Sequence, residues 1–311
     1  MQRGAVLIAG PTASGKSALA LALAERLGGV VINADSMQVY RELGVLTARP
    51  DTAAEARAPH RLYGVLPAAE RCSAGRWLDL VLPEIDGALA AGLRPILVGG
   101  TGLYFRALIE GLAPVPHIAL EAVKDAEAEF LRLGGEAFRA LLAREDPGAL
   151  ALRASDRQRL VRLRAVLTAT GRRLADWQAE RAGPHFAGPT VRLALDPPRA
   201  LVHERIDARV PAMVRAGALD EVRDLLALDL DPSLPAMKAV GVREFAAHLR
   251  GEHSLPTAIE RVRTATRQYA KRQKTWIRHQ MIAWIRLNEQ QTGKMIDQAF
   301  SLIKDSALTA Q

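Results

Sequence analysis

The stretch Gly10-Pro11-Thr12-Ala13-Ser14-Gly15-Lys16-Ser17 decides how the rest of this sequence is interpreted. It fits the phosphate-binding loop pattern G-x-x-x-x-G-K-[S/T], in which backbone N–H groups, a lysine and a hydroxyl surround a polyphosphate. Residues 5–9 before it are all apolar, as expected for a parallel strand buried on both faces. Residues 16–27 after it are rich in Ala and Leu and stop at two glycines, which predicts a helix. Strand, loop and helix in this order indicate a polyphosphate site, because a helix N-terminus attracts anions.

Two side chains of this loop have expected roles. Lys16 would reach the outermost phosphate, and the Ser17 hydroxyl would be a ligand of Mg²⁺. The alternative is a glycine turn that contains a lysine by coincidence, and the flanking strand and helix disfavour it. The loop alone does not identify the molecule that carries the phosphates.

Composition restricts the class of protein. Hydrophobic residues make up 49% of the 311 residues, enough for one large or two modest domains. No apolar run approaches the ~18 residues of a membrane helix, and the N-terminus enters the first strand too early for a signal peptide. The single cysteine, Cys72, excludes an intramolecular disulfide. We therefore expect a cytoplasmic, monomeric protein that does not bind a membrane.

The charge is basic, with 42 Lys and Arg against 34 acidic residues, a net charge of +8 and a pI near 10.0. Such a balance favours a polyanionic partner, although many basic enzymes never bind nucleic acid. The distribution of the charges is more informative than their total.

Two further apolar segments predict parallel strands beside the first. Residues 30–34 end at Asp35-Ser36-Met37-Gln38, and residues 95–98 run into Gly99-Gly100-Thr101-Gly102. Strands that alternate with helices predict a P-loop NTPase-like α/β fold with a doubly wound parallel sheet. In such sheets ligands bind at the carboxyl ends of the strands, which favours a functional role for Asp35. The alternative is that Asp35 is simply the N-cap of the next helix.

A helical block interrupts this pattern. Residues 116–187 contain no convincing strand, and strand character returns at 191–195. We therefore predict a discontinuous core, 1–115 and 188–289, an inserted helical domain, 116–187, and a weakly helical tail, 290–311. From Arg153 to Arg173 there are seven arginines and one acid, a bias that a solvated helix face does not usually show.

The last long helix, from about Pro256 past Trp276, also carries concentrated charge. Between residues 261 and 278 there are seven cations and no acid. Such a uniform face favours contact with phosphodiesters over an ordinary solvated surface. The predicted buried face of this helix consists of Ile259, Val262, Tyr269 and Trp276, and the predicted cationic face of Arg263, Arg267, Lys271, Lys274 and Arg278.

Several stretches together resemble one family, the tRNA dimethylallyltransferases. Besides the phosphate loop, they are Asp35-Ser36-Met37-Gln38-Val39-Tyr40-Arg41, Gly99-Gly100-Thr101-Gly102-Leu103-Tyr104-Phe105 and Thr266-Arg267-Gln268-Tyr269-Ala270-Lys271-Arg272-Gln273. Weaker matches at 58–62, 156–160 and 240–244 extend the resemblance over about residues 4–280. Leu46 stands where the family usually has glycine, and Val242 where it often has tyrosine.

The resemblance implies transfer of an isopentenyl group from dimethylallyl diphosphate to the exocyclic nitrogen of the adenine 3′ of the anticodon, with the tRNA anticodon arm as partner. It also implies that the inserted domain, 116–187, binds tRNA and that the discontinuous core is catalytic. It makes Asp35 the general base, Arg209 a further cation for the diphosphate, and Thr101 a group that orients Asp35 or the adenine. From spacing alone, Arg209 could equally be one more surface arginine. The residues expected to contact tRNA are Asp35, Ser36, Met37, Gln38, Thr101, Gln158, Arg159, Leu160, Arg162, Lys238, Gly241, Arg243, Arg267, Lys271 and Lys274.

Two other functions use a similar loop. A small-molecule P-loop kinase would also place an aspartate after the second strand, but the cations of the last helix exceed what a small acceptor needs. A non-catalytic RNA-binding protein would gain nothing from Asp35, whose charge opposes RNA phosphates.

Overall fold

A computed structural model of the protein describes residues 4–180, 183–289 and 291–306. The strands are β1 (Ala5–Ala9), β2 (Gly29–Asn33), β3 (His60–Arg61), β4 (Arg94–Gly99), β5 (Thr190–Leu195) and β6 (Ile285–Leu287). The helices are α1 (Lys16–Leu27), α2 (Thr52–Arg57), α3 (Ala74–Ala90), α4 (Gly102–Glu110), α5 (Leu120–Leu133), α6 (Gly135–Leu142), α7 (Arg157–Thr170), α8 (Leu174–Ala179), α9 (Arg199–Arg215), α10 (Ala218–Ala227), α11 (Val242–Leu249), α12 (Leu255–Gln280) and α13 (Thr292–Lys304). Short 3₁₀ helices lie at Pro147–Ala151 and Ala236–Lys238.

All six strands run parallel in one sheet, in the order β3-β2-β4-β1-β5-β6. The fully buried strand β1 lies between β4 and β5, so that Ile8 is opposite Val98 on one side and Leu193 on the other. The chain crosses the sheet in one direction from β1 to β2 and in the other from β3 to β4. Right-handed crossovers therefore place α1 and α3 on opposite faces. The predicted P-loop-like, doubly wound α/β class is confirmed.

The carboxyl ends of β1, β2 and β4 meet at one edge of the sheet, because the three strands are parallel neighbours. The loops that follow them are residues 10–15, 34–51 and 100–101. These are the loops in which the sequence placed the phosphate loop, Asp35 and Thr101.

The chain divides into two compact units, Met1–Leu108 with Phe186–Gln311, and Ile109–His185. The first contains the sheet. The second consists of helices around a small core that includes Phe138, Leu142, Ala149 and Leu160. The functional division into a catalytic core, a tRNA-binding insertion and a tail stays a prediction, and residues 181–182 of that insertion lie outside the described residues.

Helix α13 belongs to the sheet unit. Met295, Ala299 and Ile303 pack in the same cluster as Leu19 of α1, and Arg26 pairs with Asp297 at 2.7 Å. The segment predicted as a weakly helical tail therefore covers part of the core. Residues 290 and 307–311 of that tail lie outside the described residues.

The buried face of α12 differs from the predicted one. The buried residues are Ala258, Val262, Ala270, Gln273 and Ile277, whereas Ile259, Tyr269 and Trp276 are only half-buried. Alanines lie where α12 packs most closely on its neighbours. A prediction based on large apolar residues does not include them. The prediction was correct for Val262 alone.

Glycines at the edge of the sheet let neighbouring segments of the chain approach one another closely. A Cβ on Gly99 would overlap the carbonyl of Ala34, one on Gly100 would overlap the Gln273 amide, and one on Gly102 would overlap the Trp276 ring. The glycines at the end of β4 therefore admit the β2 loop and α12.

Among the described residues, no helix is both long enough and apolar enough to cross a membrane.

The close approach at Gly99 predicts a stability difference between two glycine substitutions. Gly99→Ala should lower the free energy of unfolding by about 1–3 kcal/mol, because its methyl group overlaps backbone that cannot move alone. Gly87→Ala, at an exposed position inside α3 with open space around it, should raise it by about 0.5–1 kcal/mol. Thermal melting of both variants beside the parent chain measures the difference. Equal melting temperatures for the two variants would contradict the packing described here.

Candidate active site

The phosphate loop lies between β1 and α1. Ala13 and Gly15 have left-handed backbone conformations, with φ of 61° and 92°. The Gly10 N–H donates to the Gly99 carbonyl at 3.3 Å, which attaches the loop to β4. A non-glycine residue at positive φ is strained, and such strain concentrates at functional sites. The loop thus leads directly into the N-terminus of α1, a position that favours an anion.

Lys16 lies at this N-terminus, and its ammonium donates to the Pro11 carbonyl at 3.3 Å. Burial lowers the pKa of Lys16 to about 8, the Asp35 carboxylate opposes that shift, and the positive charge of Arg209 adds to it. Burial also lowers the pKa of Arg209, again opposed by Asp35. The structure thus brings these three charged groups within electrostatic range of one another.

Arg209 extends from α9 to the phosphate loop. Its guanidinium donates to the Thr12 hydroxyl at 3.3 Å and to the Leu46 carbonyl at 3.5 Å. The interpretation of Arg209 as an unrelated surface arginine is therefore wrong. Leu46, a departure from the family pattern, contacts Arg209 through its backbone carbonyl.

Arg205, one helical turn before Arg209, donates to the Ala13 carbonyl at 3.3 Å. The sequence analysis missed this contact. The spacing of four residues between the two arginines was available as a signal, since it places both on one face of a helix.

Asp35 is held by the loop that follows β2. Its backbone N–H donates to Asn33 Oδ1 at 2.8 Å, and its Oδ1 accepts the Met37 N–H at 3.0 Å. Among the described residues no donor reaches Asp35 Oδ2, which lies beside Gly100. One carboxylate oxygen thus fixes the loop, and the other remains for a ligand.

Thr101 holds the residue after Asp35. Its hydroxyl oxygen accepts the Ser36 N–H at 2.9 Å, and the hydroxyl donates to Ser36 Oγ at 3.2 Å. The Thr101 N–H donates to the Ala34 carbonyl at 3.3 Å. Of the two roles that the sequence left open, this geometry favours orientation of the Asp35 loop.

Two tyrosines face the same carboxylate. Burial, with the charge of Asp35 added to it, raises the pKa of Tyr63 and of Tyr269. Both hydroxyls therefore keep their protons to a higher pH than an exposed tyrosine does.

Gln273 of α12 is buried and bridges two loops of the site. Its Oε1 accepts the Thr12 N–H at 2.8 Å, and its Nε2 donates to the Gly100 carbonyl at 3.1 Å. In the sequence, Gln273 belongs to a stretch that resembles the family, and no role was predicted for it. A polar residue at helical spacing from buried alanines was the signal that could have found it.

The residues predicted to bind tRNA divide into accessible and inaccessible groups. Leu160 is fully buried in the helical unit, so the prediction of a side-chain contact with RNA is wrong for it. Gly241 is buried, and its N–H donates to Glu244 at 3.1 Å. Gln38 is also buried, and its amide donates to the Thr47 and Ala48 carbonyls. The exposed members of the set are Gln158, Arg159, Arg162, Lys238, Arg243 and Lys271.

The face of α12 that appears uniformly cationic in sequence is largely paired. Arg267 contacts Asp207 at 2.5 Å and Glu260 at 3.4 Å, and Lys274 contacts Asp196 at 2.6 Å. Arg263 contacts Glu260 at 3.2 Å. These carboxylates lie outside residues 261–278, so the prediction of a uniformly cationic face does not hold for these three cations.

The arginine-rich run of α7 and α8 is paired in the same way. Arg157 pairs with Glu127, Arg164 with Glu129 and Glu145, Arg172 with Glu180, and Arg173 with Asp176. Arg162 has no acidic partner within 4 Å among the described residues. The run is therefore mostly internal ion pairing.

The described residues contain no cluster of three or more His, Cys, Asp or Glu that could hold a metal ion. The exposed Ser17 hydroxyl at the start of α1 can supply one hard oxygen ligand. Mg²⁺ is commonly held by few protein oxygens together with substrate phosphates and water. The donor set therefore fits an ion that binds with the diphosphate and not by itself.

The chain was compared with known families, proteins and structures. Family models described as IPP transferase and isopentenyl transferase match residues 38–280 and 3–66. The tRNA dimethylallyltransferase of Paramagnetospirillum magneticum is 51% identical over 98% of each chain. That of Rhodospirillum rubrum is 56% identical over 89% of this chain and 85% of its own.

Solved structures give the same result. The full-length tRNA isopentenylpyrophosphate transferase of Bacillus halodurans has a TM-score of 0.69 and 30% identity, over 97% of this chain and 96% of its own. A eukaryotic dimethylallyltransferase, in crystallographic snapshots of its action on tRNA, has a TM-score of 0.77 and 26% identity, over 98% and 76%. The chain therefore belongs to the tRNA dimethylallyltransferase family and is a prenyltransferase.

Proposed function

We propose that the chain transfers a dimethylallyl group from dimethylallyl diphosphate to the exocyclic N6 of the adenine 3′ of a tRNA anticodon. The observation that carries this proposal is the placement of Asp35 within electrostatic range of Lys16 and Arg209. A single carboxylate faces two cations at the edge of an anion-binding loop. That arrangement suits a reaction that removes a proton at one end and releases an anion at the other.

The Asp35 carboxylate would act as the base. The N6–carbon bond forms while the bond between the allylic carbon and the diphosphate oxygen breaks, and the amine loses one proton. An adenine amine is a weak nucleophile, so a base that takes this proton during attack lowers the barrier. Asp35 Oδ2 is the oxygen left for that proton, since Oδ1 accepts the Met37 N–H.

The phosphate loop would stabilise the departing diphosphate. Negative charge grows on the leaving oxygen, and cations and N–H groups fixed in advance around it stabilise the transition state. Lys16 and Arg209 supply the cations, and the residues Gly10, Pro11, Thr12, Ala13, Ser14, Gly15 and Ser17 supply the rest of the loop. Mg²⁺, held by the Ser17 hydroxyl and the diphosphate, would neutralise further charge.

The tRNA contacts would come from exposed polar groups. The target base has to leave the anticodon stack to reach a partly buried carboxylate, so the nucleotides around it need support. Ser36 and Met37, both half-buried next to Asp35, would contact that base. Exposed candidates for the RNA backbone are Gln158, Arg159, Arg162, Lys238, Arg243 and Lys271. Arg267 and Lys274 would contribute less to tRNA affinity, because each would have to give up its ion pair with a carboxylate to contact a phosphate.

The activity is tested by incubating the protein with dimethylallyl diphosphate, Mg²⁺ and unmodified tRNA, with ATP and small acceptors in parallel. Prenylated adenosine in the digested tRNA supports the proposal. Phosphorylation of a small acceptor without prenyl transfer would instead identify a kinase, and tRNA binding without either product would identify a binding protein.

Asp35→Asn should lower kcat by roughly two to four orders of magnitude, because the amide keeps the shape of the side chain but accepts no proton. The affinity for tRNA, measured by filter binding, should change little. Near-parental turnover in Asp35→Asn would remove this carboxylate from the mechanism.

The lowered pKa of Lys16 predicts that diphosphate binding weakens at alkaline pH. The ammonium loses its proton as the pH rises through about 8, so the Kd for inorganic pyrophosphate should increase above that value. The loss should approach about tenfold per pH unit at most, since the charged fraction falls at that rate. Calorimetric titration across neutral and alkaline pH measures it. Lys16→Arg, which keeps its charge, should give a flatter profile, and parallel profiles would assign the effect to another group.

Within the part of the chain that the structure describes, Lys271 of α12 has no acidic partner within 4 Å, whereas Arg263 pairs with Glu260. This contrast predicts a difference in salt dependence. Lys271→Gln should reduce the slope of log K against log salt for tRNA by about 0.7–0.9, the contribution of one phosphate contact. Arg263→Gln, whose parent side chain already pairs with Glu260, should leave that slope unchanged. Binding titrations at several salt concentrations decide between them. An unchanged slope in Lys271→Gln would make this side chain an ordinary solvated lysine.

A further inference from the structure

Gln273 is a buried amide on a helix whose neighbouring side chains are charged. Only 6% of its surface is exposed, whereas Lys271 and Arg272 beside it are exposed. A buried polar side chain is disfavoured unless its donor and acceptor are both satisfied. In Gln273 both are satisfied, each by a different loop of the active site.

The Gln273 amide acts as an acceptor in one of its hydrogen bonds and as a donor in the other. Its carbonyl oxygen accepts the Thr12 N–H of the phosphate loop at 2.8 Å, and its NH₂ group donates to the Gly100 carbonyl at 3.1 Å. A carboxylate could satisfy the first partner but not the second, and an apolar side chain could satisfy neither. The position therefore requires one acceptor and one donor at a fixed separation.

The Gly100 end of this bridge lies beside the proposed base. A Cβ built on Gly100 would be 3.4 Å from Asp35 Oδ2, and it would overlap the Gln273 amide. One turn along α12, the Trp276 ring packs on Gly102 with no room for a side chain. The helix thus contacts the end of β4 at two points, which fixes the position of Gln273 along the helix axis.

We infer that Gln273 is a positioning residue. It sets the distance between the phosphate loop and the part of the sheet edge where Asp35 lies. The inference rests on the proposed function, in which the diphosphate binds at the first and the nucleophile at the second. Reacting atoms have to lie about 3–3.5 Å apart, and a misplacement of about 1 Å can cost about a hundredfold in rate. Each loop keeps its own substrate contacts without Gln273, so the loss falls on kcat and not on KM.

Gln273→Met removes both hydrogen bonds and keeps the length of the side chain. The expected result is a fall in kcat of about 10–100-fold, with the KM values for dimethylallyl diphosphate and tRNA within about threefold of the parent. An unchanged kcat, or a rise in KM alone, would overturn the inference, since the second result would make Gln273 a group that binds substrate.

Gln273→Glu provides a test that does not depend on the folding of the Met variant. The protonated carboxyl group can both accept the Thr12 N–H and donate to the Gly100 carbonyl, whereas the ionised one cannot donate. The ratio of kcat in this variant to kcat in the parent should therefore rise toward one as the pH falls. Gln268→Glu, at an exposed position of the same helix, should give a ratio that does not vary with pH. A flat ratio for Gln273→Glu would show that the bridge does not act on the reaction.

Hydrogen–deuterium exchange with inorganic pyrophosphate separates this inference from the proposed function. In the parent chain, pyrophosphate should protect peptides of the phosphate loop and also those spanning residues 99–105. In Gln273→Met the first protection should remain and the second should be lost. Protection of neither segment in the parent would count against the diphosphate site itself. Equal protection of both segments in the two proteins would reject only the role of Gln273.

Discussion

The arrangement of the site depends on the absence of side chains at the carboxyl end of β4. Gly99, Gly100 and Gly102 each face a group that a Cβ would overlap: the Ala34 carbonyl, the Gln273 amide and the Trp276 ring. Removing three side chains lets a strand, a loop and a helix come into van der Waals contact. The Asp35 loop, the phosphate loop and α12 converge there because no side chain separates them.

In the sheet unit, charged side chains on one helix serve two different purposes. Asp207 on α9 pairs with Arg267 of α12 at 2.5 Å. Two residues further along α9, Arg209 donates to the Thr12 hydroxyl. The same helix thus carries an ion pair that attaches it to α12 and a cation directed at the phosphate loop. Exposed ion pairs contribute little to stability, but these pairs are partly buried and fix two helices in relation to each other. Cations that hold the structure together are therefore distinct from the exposed ones available to RNA.

The sequence predicted the parallel sheet correctly, and it placed the loop of residues 10–17 and Asp35 after neighbouring strands, because those signals are local. The roles of these residues stay predictions. A buried strand, a glycine loop and a helix are read from consecutive residues, and parallel order then places their ends at one edge. The partners of Arg267 and Lys274 are distant in sequence, and a window count of charges has no access to them. Gln273 was missed for the same reason, since its partners Thr12 and Gly100 are far from it in the chain.

A phosphate loop suits the transfer of a carbon group as well as that of a phosphoryl group. In both cases negative charge develops on the phosphate oxygens that the loop surrounds, so the same N–H groups and lysine stabilise the transition state. The two reactions differ in the position that the nucleophile has to occupy. An allylic carbon lies beyond the diphosphate, on the side away from the loop, so the base that activates the nucleophile has to come from a neighbouring strand. Asp35, at the end of β2 and beside Gly100, occupies such a place. The buried amide of Gln273 then joins the phosphate loop to Gly100.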